Sequence, residues 1–193
     1  MTQPADLIWM RRALQLAAMA EGQTSPNPMV GAVVVHEKRI IGEGYHLKAG
    51  TPHAEVHAVN AVKDRSLLAA STIYVTLEPC SHHGKTPPCT DLIISSGIRR
   101  VVIGTPDTNP LVGGRGIQRL RQAGIEVVTG VLEEECRHLN RRFFTWHEKK
   151  RPYVILKWAR SADGFIDLCR KPGDPVEPNW ITGMAERVLV HRW

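Results

Sequence analysis

Long apolar runs are missing from the sequence. The longest, such as residues 29–35, fall far short of the roughly 20 residues that a membrane-spanning helix needs. The amino-terminus shows no basic segment leading into an apolar run and a small-residue cleavage site, so no secretory signal and no membrane partner are expected, and a cytoplasmic setting follows. Cysteine is scarce as well. Four among 193 residues (Cys80, Cys89, Cys136 and Cys169) are too few for a disulfide scaffold, and a reducing compartment would leave them free for metal binding or burial. Internal repeats and low-complexity tracts are lacking. There is no acidic surplus: the net charge of +6 favours anionic partners, which fits a phosphorylated metabolite as well as a nucleic acid. What is present is a 42% hydrophobic share, enough for one substantial core.

The order of elements points to a layered α/β domain. Met10, Ala13, Leu14 and Ala17 recur at helical spacing over 6–21, with Asp6 placed to cap the start and Gly22 to end it. Residues 30–36 and 39–46 predict a hairpin across Glu37 and Lys38. A helix over about 53–63 and a strand over 72–77 follow, the strand running into Glu78, Pro79 and Cys80. From Cys89 onward strands alternate with helices: a helix to 96, a strand at 101–104, a helix near 117–123 and a strand at 126–130. A last helix over about 133–146 places Leu139, Phe143 and Trp146 on one stripe, read as core, and Cys136 is given no chemical role. The charged run 147–152, ending in proline, reads as a linker.

One constellation carries chemistry. His53 opens a helix, Cys80 follows a strand and Cys89 opens the next helix, giving one imidazole and two thiolates. Three protein ligands leave a fourth tetrahedral position for water, the pattern of catalytic rather than structural zinc. Zinc lowers the pKa of bound water to about 7, which supplies a nucleophile at neutral pH. Glu55 stands two positions after His53, roughly 200° around a regular helix, so it reads as the proton shuttle and not as a ligand. Two cysteines separated by eight residues would, taken alone, more often be buried thiols. With His53, Glu55 and the Pro79-Cys80 pair, the set comes close to the signature of zinc nucleobase deaminases, although their cysteines are usually two residues apart. The alternative pair His53 and His57 lacks the peptidase pattern, because Ala54 stands where that motif needs glutamate.

Five segments resemble one family closely. They are 25–31 (Ser-Pro-Asn-Pro-Met-Val-Gly), 42–46 (Gly-Glu-Gly-Tyr-His), 52–58 (Pro-His-Ala-Glu-Val-His-Ala), 76–89 (Thr-Leu-Glu-Pro-Cys-Ser-His-His-Gly-Lys-Thr-Pro-Pro-Cys) and 107–110 (Asp-Thr-Asn-Pro). The chain is similar over about 6–160 to the deaminase domain of the bifunctional riboflavin-biosynthesis deaminase and reductase, a family whose long cysteine spacing it shares. The resemblance implies a cytidine-deaminase-like three-layer αβα sandwich with a mixed central sheet. It also implies hydrolysis of the 2-amino group of 2,5-diamino-6-ribosylamino-4(3H)-pyrimidinone 5′-phosphate to give 5-amino-6-ribosylaminouracil 5′-phosphate. Zinc would sit on His53, Cys80 and Cys89, with Glu55 catalytic. Asn27 and His46 would lie near the base, and Lys85, Thr86, Asp107 and Asn109 near ribose and phosphate. His82 and His83 read as loop structure or substrate surroundings.

The expected organisation is a deaminase domain over 1–147, then a linker and an incomplete amino-terminal fragment of a reductase domain over 148–193. The segment Arg-Pro-Tyr-Val-Ile-Leu-Lys at 151–157 resembles that domain's opening strand, and Ala159 and Trp180 match positions expected to touch NADPH in an intact reductase. About 43 residues are too few for that core, so reductase activity is not expected. The partner expected is a small phosphorylated pyrimidine and not a nucleic acid, with homo-oligomers common in the family. Two rivals are a deaminase of nucleic-acid bases, which shares the zinc chemistry, and a noncatalytic zinc module.

Overall fold

The structure, a computed structural model, describes residues 3–82, 87–108, 113–175 and 177–191. It divides into two compact units, Met1–Tyr153 and Val154–Trp193.

The first unit opens with α1 (Pro4–Ala18). Pro4 takes a position in the first turn where its missing N–H costs nothing. Asp6 lies inside the helix, its carboxylate accepting the Gln3 N–H at 2.7 Å. The hairpin pairs β1 (Gly31–His36) with β2 (Arg39–Tyr45) through Glu37 and Lys38, both left-handed at φ 46° and 61°, as the tightest hairpin turns require. Then come α2 (Ala54–Asn60), a 3-10 turn (Arg65–Ala70), β3 (Thr72–Leu77) and α3 (Cys89–Ser95). They are followed by β4 (Arg100–Thr105), α4 (Arg115–Gln122), β5 (Glu126–Thr129), α5 (Glu133–Leu139) and α6 (Arg141–Lys149).

The sheet order is β2-β1-β3-β4-β5. β1 runs antiparallel to β2 and β3, while β3, β4 and β5 are parallel, so the sheet is mixed. The inner strands β1, β3 and β4 are buried on both faces, and period-two alternation divides their side chains between two cores. Ala32, Val34, Ile73, Val75, Val101 and Ile103 pack with α2, α3 and α4. Val33, Val35, Tyr74 and Val102 face α1 and α5. The result is the three-layer αβα sandwich expected. Gly44 lets α2 lie directly on β2, since a Cβ there would meet the His57 Cβ at 2.4 Å.

Two local expectations fail. The single helix over 133–146 is broken at Asn140, whose side chain turns away to accept the Met29 N–H and donate to the Met29 carbonyl, both at 2.8 Å. The buried stripe is therefore Cys136, Asn140 and Phe144, whereas Trp146 is 58% exposed and Phe143 faces a cleft. Burial and the neighbouring glutamates push the Cys136 thiol up to about 12, which suits an inert core residue. The strand expected at 151–157 also does not form. Among its described residues the second unit has one helix, α7 (Met184–Val190), and no strand to pair with, so Leu156, Trp158 and Phe165 stay exposed. No helix among the described residues is long and apolar enough to cross a membrane.

Candidate active site

The site gathers at the carboxyl end of β3, where open α/β sheets place their ligands. Cys80 follows that strand and Cys89 begins α3. The two are tied locally: the Cys89 N–H reaches Cys80 Sγ at 3.4 Å, and the Thr90 N–H donates to the Cys80 carbonyl at 3.1 Å. His53 caps α2 in an extended conformation (φ −75°, ψ 167°). Its Nδ1 lies 3.6 Å from Cys80 Sγ and 3.3 Å from Cys89 Sγ, and the three ligand atoms fall within 4.8 Å of one another. Bond lengths of about 2.3 Å to sulfur and 2.0 Å to nitrogen, at a tetrahedral angle, put the donors about 3.6 Å apart. The donor set therefore fits a tetrahedral zinc ion with one position open.

Protonation follows from the same contacts. The Cys89 thiol, and His53 after it, pull Cys80 down to about 4 against the effect of burial. The Cys80 sulfur and burial push Cys89 up, so the pair shares one proton. A divalent cation would make thiolates of both.

Glu55 is 3% exposed. Burial raises its carboxyl to about 7, although the His53 charge opposes the shift. A cation nearby would lower it again. A carboxyl poised near neutrality can both take and give a proton. Its separation from His53 has a different cause from the one expected: His53 lies outside the helix as its cap, so the two residues do not follow helical spacing, and both line one cleft.

That cleft has a volume of about 620 Å³, within the usual range for small-molecule sites. Asn27, His46 and Asp107 also line it. His46 Nδ1 lies 3.2 Å from the Pro52 carbonyl and its Nε2 lies 3.2 Å from Asn27 Nδ2. These partners assign a neutral imidazole with its proton on Nδ1. Burial first, and then the charges of His53 and His57, lower its pKa and favour that form. Lys85, Thr86 and Asn109 lie outside the described residues. Ala159 and Trp180 belong to the second unit, where the Arg187 guanidinium sits 4.0 Å from the centre of the Trp180 ring.

Sequence reasoning missed Glu78, Phe143 and His147, all of which line the cleft. Glu78 left a signal, a carboxylate just ahead of a candidate ligand. Phe143 left none, because an aromatic residue on an amphipathic helix looks the same over a core as over a cavity.

The family model described as the cytidine and deoxycytidylate deaminase zinc-binding region matches residues 4–105, and the chain belongs to that family. Among particular relatives, it is 51% identical to the riboflavin biosynthesis protein RibD of Aquifex aeolicus over 191 residues, 99% of this chain and 52% of that one. It also resembles the solved diaminohydroxyphosphoribosylaminopyrimidine deaminase/5-amino-6-(5-phosphoribosylamino)uracil reductase of Thermotoga maritima. That match has 49% identity and a TM-score of 0.85 and covers 97% of this chain and 52% of that one. A third likeness is to the Rib2 deaminase of Aspergillus oryzae in complex with DARIPP, at 25% identity and a TM-score of 0.58, covering 75% of this chain and 94% of that one. The chain spans about half the length of the curated relatives it matches.

Proposed function

We propose that the chain is a zinc-dependent hydrolase that converts 2,5-diamino-6-ribosylamino-4(3H)-pyrimidinone 5′-phosphate to 5-amino-6-ribosylaminouracil 5′-phosphate in riboflavin biosynthesis. The observation that carries the reading is the convergence of His53 Nδ1, Cys80 Sγ and Cys89 Sγ at a cleft that His53, Cys80 and the buried Glu55 line. Likeness to relatives named as riboflavin-biosynthesis enzymes supports the choice of substrate. When bound by His53, Cys80 and Cys89, zinc would act as a Lewis acid that makes water nucleophilic at neutral pH.

The chain's own residues do the rest. Glu55 takes a proton from the attacking water at its carboxylate and passes it to the ring nitrogen beside the amino-bearing carbon. It then takes the second proton and delivers it to the departing amine. Water adds, ammonia leaves and a carbonyl remains, so the atoms balance without redox chemistry. His46, fixed by the Pro52 carbonyl, holds Asn27 in place to bind the base. Lys85, Thr86, Asp107 and Asn109 contact ribose and phosphate. Residues 148–193 correspond to a linker and the opening part of a reductase domain, with Ala159 and Trp180 at positions that would face NADPH in that domain.

The test is ammonia release from this ribotide by zinc-loaded protein. Turnover is expected. Its absence, or deamination confined to single-stranded nucleic acid, overturns the reading.

A further inference from the structure

Glu78 stands between the end of β3 and Cys80, is 4% exposed, and has no part in the chemistry above. Among the described residues its carboxylate accepts four backbone N–H groups. Oε2 takes those of Asp107 at 3.1 Å and Gly114 at 3.0 Å, and Oε1 takes those of Gly116 at 2.9 Å and Ile117 at 3.2 Å. The Glu78 N–H donates to the Thr105 carbonyl at 3.0 Å. These partners lie between the end of β4 and the first turn of α4. Gly116 permits the approach, since a Cβ there would come within 2.1 Å of the Pro79 carbonyl oxygen.

The two carboxylate oxygens do different work. Oε1 satisfies first-turn donors of α4, as any remote cap would. Oε2 adds nothing to the ladder of that helix, because Asp107 lies before it and Gly114 is its N-cap. Instead Oε2 ties Asp107, which lines the cleft, to the segment that carries Cys80. Charge-assisted bonds of this kind are roughly twice as strong as neutral ones, and two donors per oxygen fix the plane of the carboxylate.

We infer that Glu78 is a positioning residue that holds Asp107 at a set distance from Cys80, so that the ribose-phosphate end of the substrate and its reacting carbon are seated together. This rests on the proposed role of Asp107 as a contact to ribose or phosphate.

Glu78→Gln keeps the shape but turns one acceptor into a donor, so the amide can serve only one of the two N–H pairs. With zinc content unchanged, KM for the ribotide should rise about tenfold while kcat falls less than about threefold, the loss of roughly one good hydrogen bond. The preference for ribotide over the dephosphorylated riboside should fall by a similar factor. Amide exchange at Asp107 and Gly114 should quicken. Glu78→Asp keeps the charge on a shorter stem and should recover part of the preference. It also carries the test should the glutamine variant not fold.

A cap that served stability alone would lower the melting midpoint of both variants and leave KM and the preference unchanged, and that result overturns the inference. Wild-type protein that releases ammonia from neither compound removes the functional reading and this inference together. Wild-type turnover with an unaltered preference in both variants removes this inference alone.

Discussion

The two ends of the parallel strands solve the same electrostatic problem in opposite ways. At the amino-terminal end, Arg100 at the start of β4 donates to both oxygens of buried Asp6 at 2.9 and 3.0 Å, the Tyr74 hydroxyl donates to Asp6 at 3.0 Å, and Arg100 also reaches Glu126 at 3.2 Å. Burial alone would push the Asp6 carboxyl up, but these bonds and the Gln3 N–H outweigh it and hold Asp6 below its ordinary range. Burial and Asp6 push Tyr74 up to about 12. At the carboxyl end, Glu55 has two sulfurs and an imidazole for neighbours, and burial carries it to about 7. One end spends its buried charge on holding the layers together. The other leaves a buried carboxyl without a cationic side-chain clamp, beside a donor set that fits a metal ion.

If the carboxyl end is the chemical one, stripping its metal gives the largest effect. Chelation should take ammonia release to background and added zinc should restore it, with the melting midpoint falling in step because bound metal stabilises only the folded state. Next in size is Glu55→Gln. It should cost about a thousandfold in kcat, within the span of general acid-base catalysis, while metal analysis still finds zinc. The opposite end should behave in reverse. Arg100→Leu leaves the buried Asp6 carboxylate with the Tyr74 hydroxyl and Gln3 N–H but no cation, and should cost about 3 kcal/mol of stability in a urea melt, with kcat/KM unchanged for the fraction that remains folded.

The smallest effect concerns acid. Because the folded-state pKa of Asp6 lies below its ordinary 3.8, its contribution to stability is present in full above that value and fades as pH falls through the folded one. Asp6→Asn should therefore be less stable than wild type near neutrality and lose less on acidification below about pH 4, as followed by acid titration of the fold. A large fall in activity from Arg100→Leu, or a large fall in stability from Glu55→Gln, would erase the distinction between the two ends.

The sequence made some of these features far more legible than others. The layered α/β order could be read because apolar strands and helices alternate along the chain, whereas the three-layer sandwich with its mixed sheet came from the family resemblance. The grouping of His53, Cys80 and Cys89 could be read only from their combination with Glu55 and Pro79, because the cysteine spacing by itself points to buried thiols. The backbone's contribution was less visible. Asn140 looks like any residue of an amphipathic helix, and only its bonds to Met29, 111 positions away, break that helix. Glu78 could be noticed as a carboxylate but not as the acceptor of four amides, because those amides come from glycines and other residues with no side-chain signature for it. At 151–157 the family resemblance pointed to a strand, and the described residues of Val154–Trp193 contain no strand for it to pair with.

The clasp between Asn140 and Met29 bears on how the protein is made. A ribosome must extend the chain 111 positions beyond Met29 before that side chain can reach back to the segment beside Asn27, and Phe143 and His147 emerge later still. The wall they form is thus finished after the sheet, Cys80 and Cys89 are already out of the exit tunnel, so a nascent chain stalled before that point would carry His53, Cys80 and Cys89 without the enclosure around them.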